Sequence, residues 1–171
     1  LPQTFDSIAA AVRNIPSGVI PIVTGFIGKT SNGEVTTLGR GGSDYTASIY
    51  GAALNAEEIQ IWTDVDGVLT ADPKMVPNAR IVDVVSFKEA SELAFFGAKV
   101  LHPKTILPAM NKEIPVRVLN TFNPSGNGTL ILRNVSRKDD ITAITCKENI
   151  HVIHISSARM LMAHGFMSRI C

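Results

Sequence analysis

The stretch Leu38-Gly39-Arg40-Gly41-Gly42-Ser43-Asp44-Tyr45 holds the densest set of residues that could do chemistry. Gly39, Gly41 and Gly42 permit positive φ and a close backbone approach that side chains resist. Ser43 and Asp44 are residue types that cap a following helix. A glycine turn that runs into a helix N-terminus aims free N–H groups and the positive end of the helix dipole at one point, which suits an anion. Arg40 adds a planar fork that holds a carboxylate or phosphate through paired hydrogen bonds. The plainer alternative is a tight turn, a capped helix and a solvated arginine, and the stretch alone does not separate the two. It has neither the Gly-Lys-Ser/Thr of a Walker loop nor the glycine spacing of a dinucleotide fingerprint.

Two further stretches add carboxylates and a cation. Trp62-Thr63-Asp64-Val65-Asp66-Gly67-Val68-Leu69-Thr70-Ala71-Asp72-Pro73 is a strand pattern ending in a loop with Asp64, Asp66 and Asp72. Ligands of α/β sheets bind beyond the carboxyl ends of parallel strands. Such carboxylates can orient a nucleotide or its Mg²⁺, although Asp also favours ordinary turns. Lys74 can reach phosphates or sit in solvent. Phe96-Gly97-Ala98-Lys99-Val100-Leu101-His102-Pro103 sets Lys99 in an apolar segment at a helix end. There it can stabilise a transferring phosphoryl group or complement the helix dipole. His102, before a proline and without an obvious partner, is expected to be structural. His151 and His154 fall on opposite sides of a strand and imply no shared metal.

These residues need a scaffold. Asp6 to Val12 predicts a helix with Ile8, Ala9 and Val12 on one face. Val19-Ile20-Pro21-Ile22-Val23 predicts a strand buried on both faces. Asn32-Gly33 predicts a hairpin turn between Lys29 and Glu34. Thr46 to Leu54 predicts a helix, and Glu58 to Thr63 a second buried strand with Trp62 in the core. Asp64 to Arg80 is loop-like. Ser86 and Glu89 match a capping box that opens a helix continued by Leu93, Phe96 and Val100, with Phe95 and Phe96 expected in the core. Pro103 opens another helix at its first position, where the missing N–H costs nothing. Pro115 to Leu119 and Thr129 to Leu132 predict closing strands. The alternation predicts an α/β sandwich with a largely parallel sheet.

The texture changes at the polar run Arg133-Asn134-Val135-Ser136-Arg137-Lys138-Asp139-Asp140. A domain boundary is expected near Ser136, dividing 1–135 from 136–171. Ile141 to Cys146 and His151 to Ile155 predict strands, and Ala158 onward a helix. A unit of about 35 residues is too short to bury a core alone, so it is expected to be the start of a further domain.

Composition removes several function classes. The 171 residues carry 16 basic and 15 acidic side chains, a net charge of +1 that leaves no electrostatic footprint for nucleic acid or an anionic membrane. No apolar run approaches the roughly 20 residues of a membrane helix. Leu1 to Asp6 show no basic signal-peptide start, and the absence of an initiator Met leads us to expect a chain that begins inside a longer one. The cysteines, Cys146 and Cys171, are expected to be free thiols in a reducing compartment.

The motifs together resemble the aspartokinases. Gly25-Phe26-Ile27-Gly28, Thr36 to Ala47, Trp62 to Gly67 and Phe96 to Pro103 match in order and spacing. The resemblance implies a partial amino-acid-kinase fold, a three-layer α/β sandwich, followed by the opening of an α+β ACT regulatory domain. It implies transfer of the γ-phosphoryl of ATP, with Mg²⁺, to the side-chain carboxylate of L-aspartate. This is the entry to lysine, threonine and methionine synthesis. By matching position, Arg40 clamps the substrate α-carboxylate, beside Gly41, Gly42 and Ser43. Asp44 contacts the amine or orients catalytic lysines. Thr63, Asp64, Leu69 and Lys74 line the ATP site, and Lys99 with Val100 meets the phosphates. Leu69 stands where relatives often carry Tyr. Met160, Ala163, Gly165 and Met167 fall where lysine-sensitive relatives bind inhibitor, with Ala163 replacing a Ser found in some. Lysine or threonine is the implied effector. A homo-oligomer or a complementary chain is the implied partner. The implied compartment is the cytoplasm, or the plastid in a plant. The family's Lys-Phe-Gly-Gly-Thr-Ser-type motif, which supplies a catalytic lysine, is not among these residues. Another amino-acid kinase, a purely regulatory subunit and a fusion to homoserine dehydrogenase remain alternatives.

Overall fold

The computed structural model describes residues 2–95, 101–136, 141–146, 149–151 and 154. Lys99, Val100 and Phe96 lie outside these, as do Met160, Ala163, Gly165, Met167 and the helix expected from Ala158.

Helix α1 (Pro2–Arg13) turns its buried Ile8 inward and rests on α2 (Gly42–Leu54). Between them, β1 (Ile27–Lys29) and β2 (Val35–Thr37) form the expected antiparallel hairpin, tightened by Thr30 N–H to Glu34 O at 2.9 Å. Then come β3 (Ile59–Thr63), β4 (Val84–Ser86) and α3 (Phe87–Phe95). A 3₁₀ turn (Pro103–Ile106) runs into α4 (Leu107–Asn111), followed by β5 (Val116–Asn120) and β6 (Thr129–Leu132).

The main sheet has the order β3-β5-β6-β4. β3 pairs with β5 and β4 with β6 in parallel, while β5 and β6 are antiparallel. This is the α/β class and the largely parallel sheet expected. Val116, Val118, Ile131 and Val85 are fully buried at its centre, covered by Ile106 and Ala109 from the 3₁₀ turn and α4. Each large apolar side chain so buried stabilises by roughly 1.5–3 kcal/mol against its exposed state. The parallel β3–β5 pair ends in register, Thr63 against Asn120, so both strands release their loops at one edge.

The capping box forms as expected. The Ser86 N–H and hydroxyl both donate to Glu89 Oε2 at 2.7 Å, and the Glu89 N–H donates back to Ser86 Oγ at 3.1 Å.

Four expectations need correction. Val19 to Val23 forms no strand, and Ile20 and Ile22 are 86% and 97% exposed. Pro21 cannot donate to a ladder, and no described strand lies alongside to pair the rest. β3 is buried on one face only. Ile59 and Ile61 point inward, while Gln60 and Trp62 face out, with Trp62 Nε1 donating to Gln60 Oε1 at 3.2 Å. Trp62 and Phe95 are therefore not core residues, at 47% and 74% exposed. Ile141 to Cys146 is irregular, joined to the body through Ile144 N–H to Thr70 O at 2.8 Å and through Thr142 rather than through a ladder. Most of the strand expected from His151 to Ile155 lies outside the described residues. The short β4 was not anticipated, since its three residues merge with the capping box.

Candidate functional site

The glycine turn and the start of α2 form one rigid corner. Gly41 is the N-cap residue, in the left-handed region at φ 68° and ψ 23°. Helix α2 begins at Gly42, so Ser43 and Asp44 lie in its first turn instead of capping it. The Tyr45 N–H donates to Gly41 O at 2.9 Å and the Gly42 N–H to Gly39 O at 3.0 Å. A Cβ on Gly41 would stand 2.7 Å from Cγ2 of Thr105, so glycine is required by both conformation and space. The 3₁₀ turn thus packs directly on the glycine turn.

His102 caps that 3₁₀ turn, as its structural reading anticipated. Its Nδ1 accepts the Lys104 N–H at 3.3 Å, and its carbonyl accepts the Thr105 hydroxyl at 2.6 Å. Lys99 and Val100 lie outside the described residues, and the site as described begins again at Leu101 and His102.

Asp44 is half-buried, and desolvation raises its pKa above the ordinary carboxylate value. Arg40 is exposed, and among the described residues its guanidinium makes no ion pair. The corner therefore offers a free planar cation and a carboxyl that gains from a cationic partner.

The second element is the loop after β3. Thr63 Oγ1 donates to Asp64 Oδ1 at 3.1 Å. Asp66 Oδ1 accepts Asn120 Nδ2 at 2.9 Å and Asn123 Nδ2 at 3.2 Å, and these bonds lower its pKa. Farther along, Leu69 bridges Ile81 and Thr70 N–H donates to Arg80 O at 2.8 Å, which closes the loop on itself. Asp72 accepts the Lys74 N–H on its carboxylate at 2.8 Å and the Val76 N–H on its carbonyl at 2.9 Å. It is a turn residue, the plainer of the alternatives open to it. Asp64, Asp66 and Asp72 do not converge: among the described residues no group of acidic, His or Cys side chains could hold a metal ion. Lys74 is exposed, and Leu69 and Thr63 are half-buried.

Asn120 and Asn123 escaped the sequence reading. Asn120 ends β5, so the rule that pointed to Asp64 at the end of β3 also pointed there. A cleft of about 540 Å³ between α3 and α4 is lined by Lys88, Ser91, Asn111 and Arg133 among others, and holds none of the candidate residues.

Comparison with known proteins bears on this geometry. The model of the amino acid kinase family matches residues 3–120. The chain is 51% identical to aspartokinase 1, chloroplastic, of Arabidopsis thaliana, over 99% of this chain and 31% of that protein. Its structure is similar to E. coli aspartokinase III in complex with aspartate and ADP (R-state), at TM-score 0.64 and 49% identity, covering 70% of this chain and 27% of that one. It is similar also to E. coli aspartokinase III in complex with lysine and aspartate (T-state), at TM-score 0.60 and 40% identity, covering 85% and 33%. The chain spans about a third of the length of the relatives it matches.

Proposed function

This chain belongs to the amino acid kinase family, in its aspartokinase branch, and from that premise we propose that it forms the nucleotide-binding part of an aspartate kinase. The reaction is attack of the β-carboxylate of L-aspartate on the γ-phosphorus of ATP, giving 4-phospho-L-aspartate and ADP. Phosphoryl transfer asks a protein mainly for positioning and neutralisation of charge. Arg40 clamps the substrate α-carboxylate, with the turn at Gly41, Gly42 and Ser43 beside it. Asp44 faces the substrate ammonium or holds the lysines that meet the phosphates. Thr63, Asp64, Leu69 and Lys74 line the nucleotide, and Lys99 with Val100 meets its phosphates. Mg²⁺ bound with ATP would neutralise charge on its phosphates, and Asp64, whose carboxylate accepts the Thr63 hydroxyl, would help to orient it.

One observation carries this reading. The 3₁₀ turn opened by Pro103 packs through Thr105 on Gly41, at the corner that holds Arg40 and Asp44. Aspartate and ADP bound to the E. coli relative are the ligands that such a corner would take.

The division at Ser136 and the ACT assignment of 136–171 belong to the same proposal. Lysine, which the T-state relative binds, is the first effector to test, with threonine second, at Met160, Ala163, Gly165 and Met167. Assembly with a like copy or a complementary chain, and a plastid or cytoplasmic location, complete the proposal. Among the described residues no helix is long and apolar enough to cross a membrane.

Because the family's lysine motif is not in this sequence, the chain alone is expected to turn over little. The test is calorimetric titration with MgADP and L-aspartate, followed by an assay of ADP release. Saturable MgADP binding with scant turnover is expected, and a polypeptide bearing the lysine motif should restore activity. Failure to bind MgADP, or preference of the restored enzyme for glutamate, overturns the assignment.

A further inference from the structure

We propose that Asn120, Asn123 and Thr129 are positioning residues for the nucleotide loop, acting through Asp66 and Val68 to fix Asp64. The inference rests on the nucleotide reading of that loop and adds residues that neither its motif nor its sequence neighbourhood contains.

The loop from Asp64 to Val68 is exposed on its outer side and tied down at each end from beneath. At its start, Thr121 N–H donates to Thr63 O at 2.8 Å, so the β5 chain continues one residue past the ladder to hold the exit of β3. In the middle, Asn120 and Asn123 both donate to the same oxygen of Asp66. The Asn120 side chain is itself oriented, since its Oδ1 accepts the Phe122 N–H at 2.9 Å. At the far end, Thr129 is fully buried, and its hydroxyl accepts the Val68 N–H at 2.8 Å across 61 positions of sequence. Gly67, at φ 135°, makes this approach possible: a Cβ there would stand 2.4 Å from the Thr129 hydroxyl.

All three donors and acceptors come from β5, β6 and the connection between them. That ladder is antiparallel, with Val118 opposite Thr129, so the two ends of the brace are set by one register. Asp64 lies between the anchored Thr63 and the anchored Asp66, and among the described residues its carboxylate receives only the hydroxyl of Thr63. Its carboxylate is thereby held in place and left available. A misplacement of about 1 Å in a positioning contact costs up to ~100-fold in rate, so a loop pinned at three points matters to a reaction that depends on placement.

The full chain carries the test. Thr129→Val keeps the shape and removes the hydroxyl. Thr129→Ser restores it. Asn123→Ala, at an exposed position, removes one bond to Asp66 without disturbing the core. Calorimetry with MgADP should show affinity lowered about tenfold in Thr129→Val and severalfold in Asn123→Ala, with recovery to within about twofold in Thr129→Ser. Affinity for L-aspartate should stay unchanged, which a general loss of fold would not allow. The Val68 amide should exchange with deuterium at least ~10-fold faster in Thr129→Val. If Thr129→Val does not fold, Asn123→Ala decides. Wild-type chain that binds no MgADP sinks the nucleotide reading and this role with it. Wild type that binds, with variants that bind equally well, sinks the brace alone.

Discussion

The Glu89 carboxylate that completes the cap of α3 also accepts the hydroxyl of Thr142, across 53 positions of sequence. Ile144, two residues on, donates its N–H to Thr70 O in the loop after β3. The segment beyond the expected boundary is thus bonded to both α3 and the candidate nucleotide loop. A hydrogen bond to a charged acceptor contributes about 1.5–3 kcal/mol, and a helix cap about 1 kcal/mol. Thr142→Val should therefore lower stability in urea unfolding by about 1 kcal/mol, and Glu89→Ala by more. The two should couple in a double-mutant cycle by at least ~0.5 kcal/mol; strict additivity would show that the contact does not form in solution.

Asp44 ties function to a stability cost. Burial raises its folded-state pKa, so the stability linked to this group is fully present below the unfolded pKa and is lost as pH rises through the folded one. At neutral pH the ionised carboxylate is a destabilising group. Asp44→Asn should raise the melting temperature at pH 7 by a few degrees, on the order of 1 kcal/mol or less, and the gain should vanish below about pH 4. The enzyme restored with the lysine-motif polypeptide should lose about 100-fold in kcat when it carries this substitution. A variant that is both more stable and fully active would remove Asp44 from the site.

How much of this was legible in the sequence depended on the range of the forces involved. The capping box was legible because Ser86 and Glu89 lie within one helical turn. The hairpin was legible because Asn32-Gly33 determines its own backbone. The strand from Glu58 to Thr63 was rightly placed, but Trp62 was not rightly read as core, since an apolar residue shows its burial only when the layer opposite it is known. Val19 to Val23 failed for the same reason, compounded by Pro21. In the site, the glycine turn was read correctly as a helix start, yet the cap proved to be Gly41 instead of Ser43 or Asp44. That choice was made by Thr105, whose approach leaves no room for a Cβ. The grip of Asn120 on Asp66 spans 54 positions, and no local pattern records it.

Ser48 offers a stability test free of the site. It is fully buried in α2, and among the described residues its hydroxyl has no hydrogen-bond partner. An unsatisfied buried hydroxyl costs about 1 kcal/mol or more, and alanine is the better helix former. Ser48→Ala should raise stability in chemical denaturation by about 1 kcal/mol without affecting MgADP binding. A loss of stability of that size would mean that the hydroxyl is satisfied by a residue beyond those described.

Arg40 gives the sharpest test of the substrate side. Its role as a clamp depends on two parallel N–H donors in one plane, which lysine keeps in charge but not in shape. If Arg40 holds the α-carboxylate, Arg40→Lys should raise the KM for L-aspartate by about tenfold or more and leave the KM for ATP nearly unchanged. Arg40→Ala should add a further loss of similar size. The split matters because a solvated arginine, the alternative that the sequence left open, predicts no change in either constant. Steady-state kinetics on the restored enzyme, with each substrate varied at saturation of the other, separates these cases. A rise confined to the KM for ATP would move Arg40 to the nucleotide side and leave the aspartate carboxylate without its proposed partner.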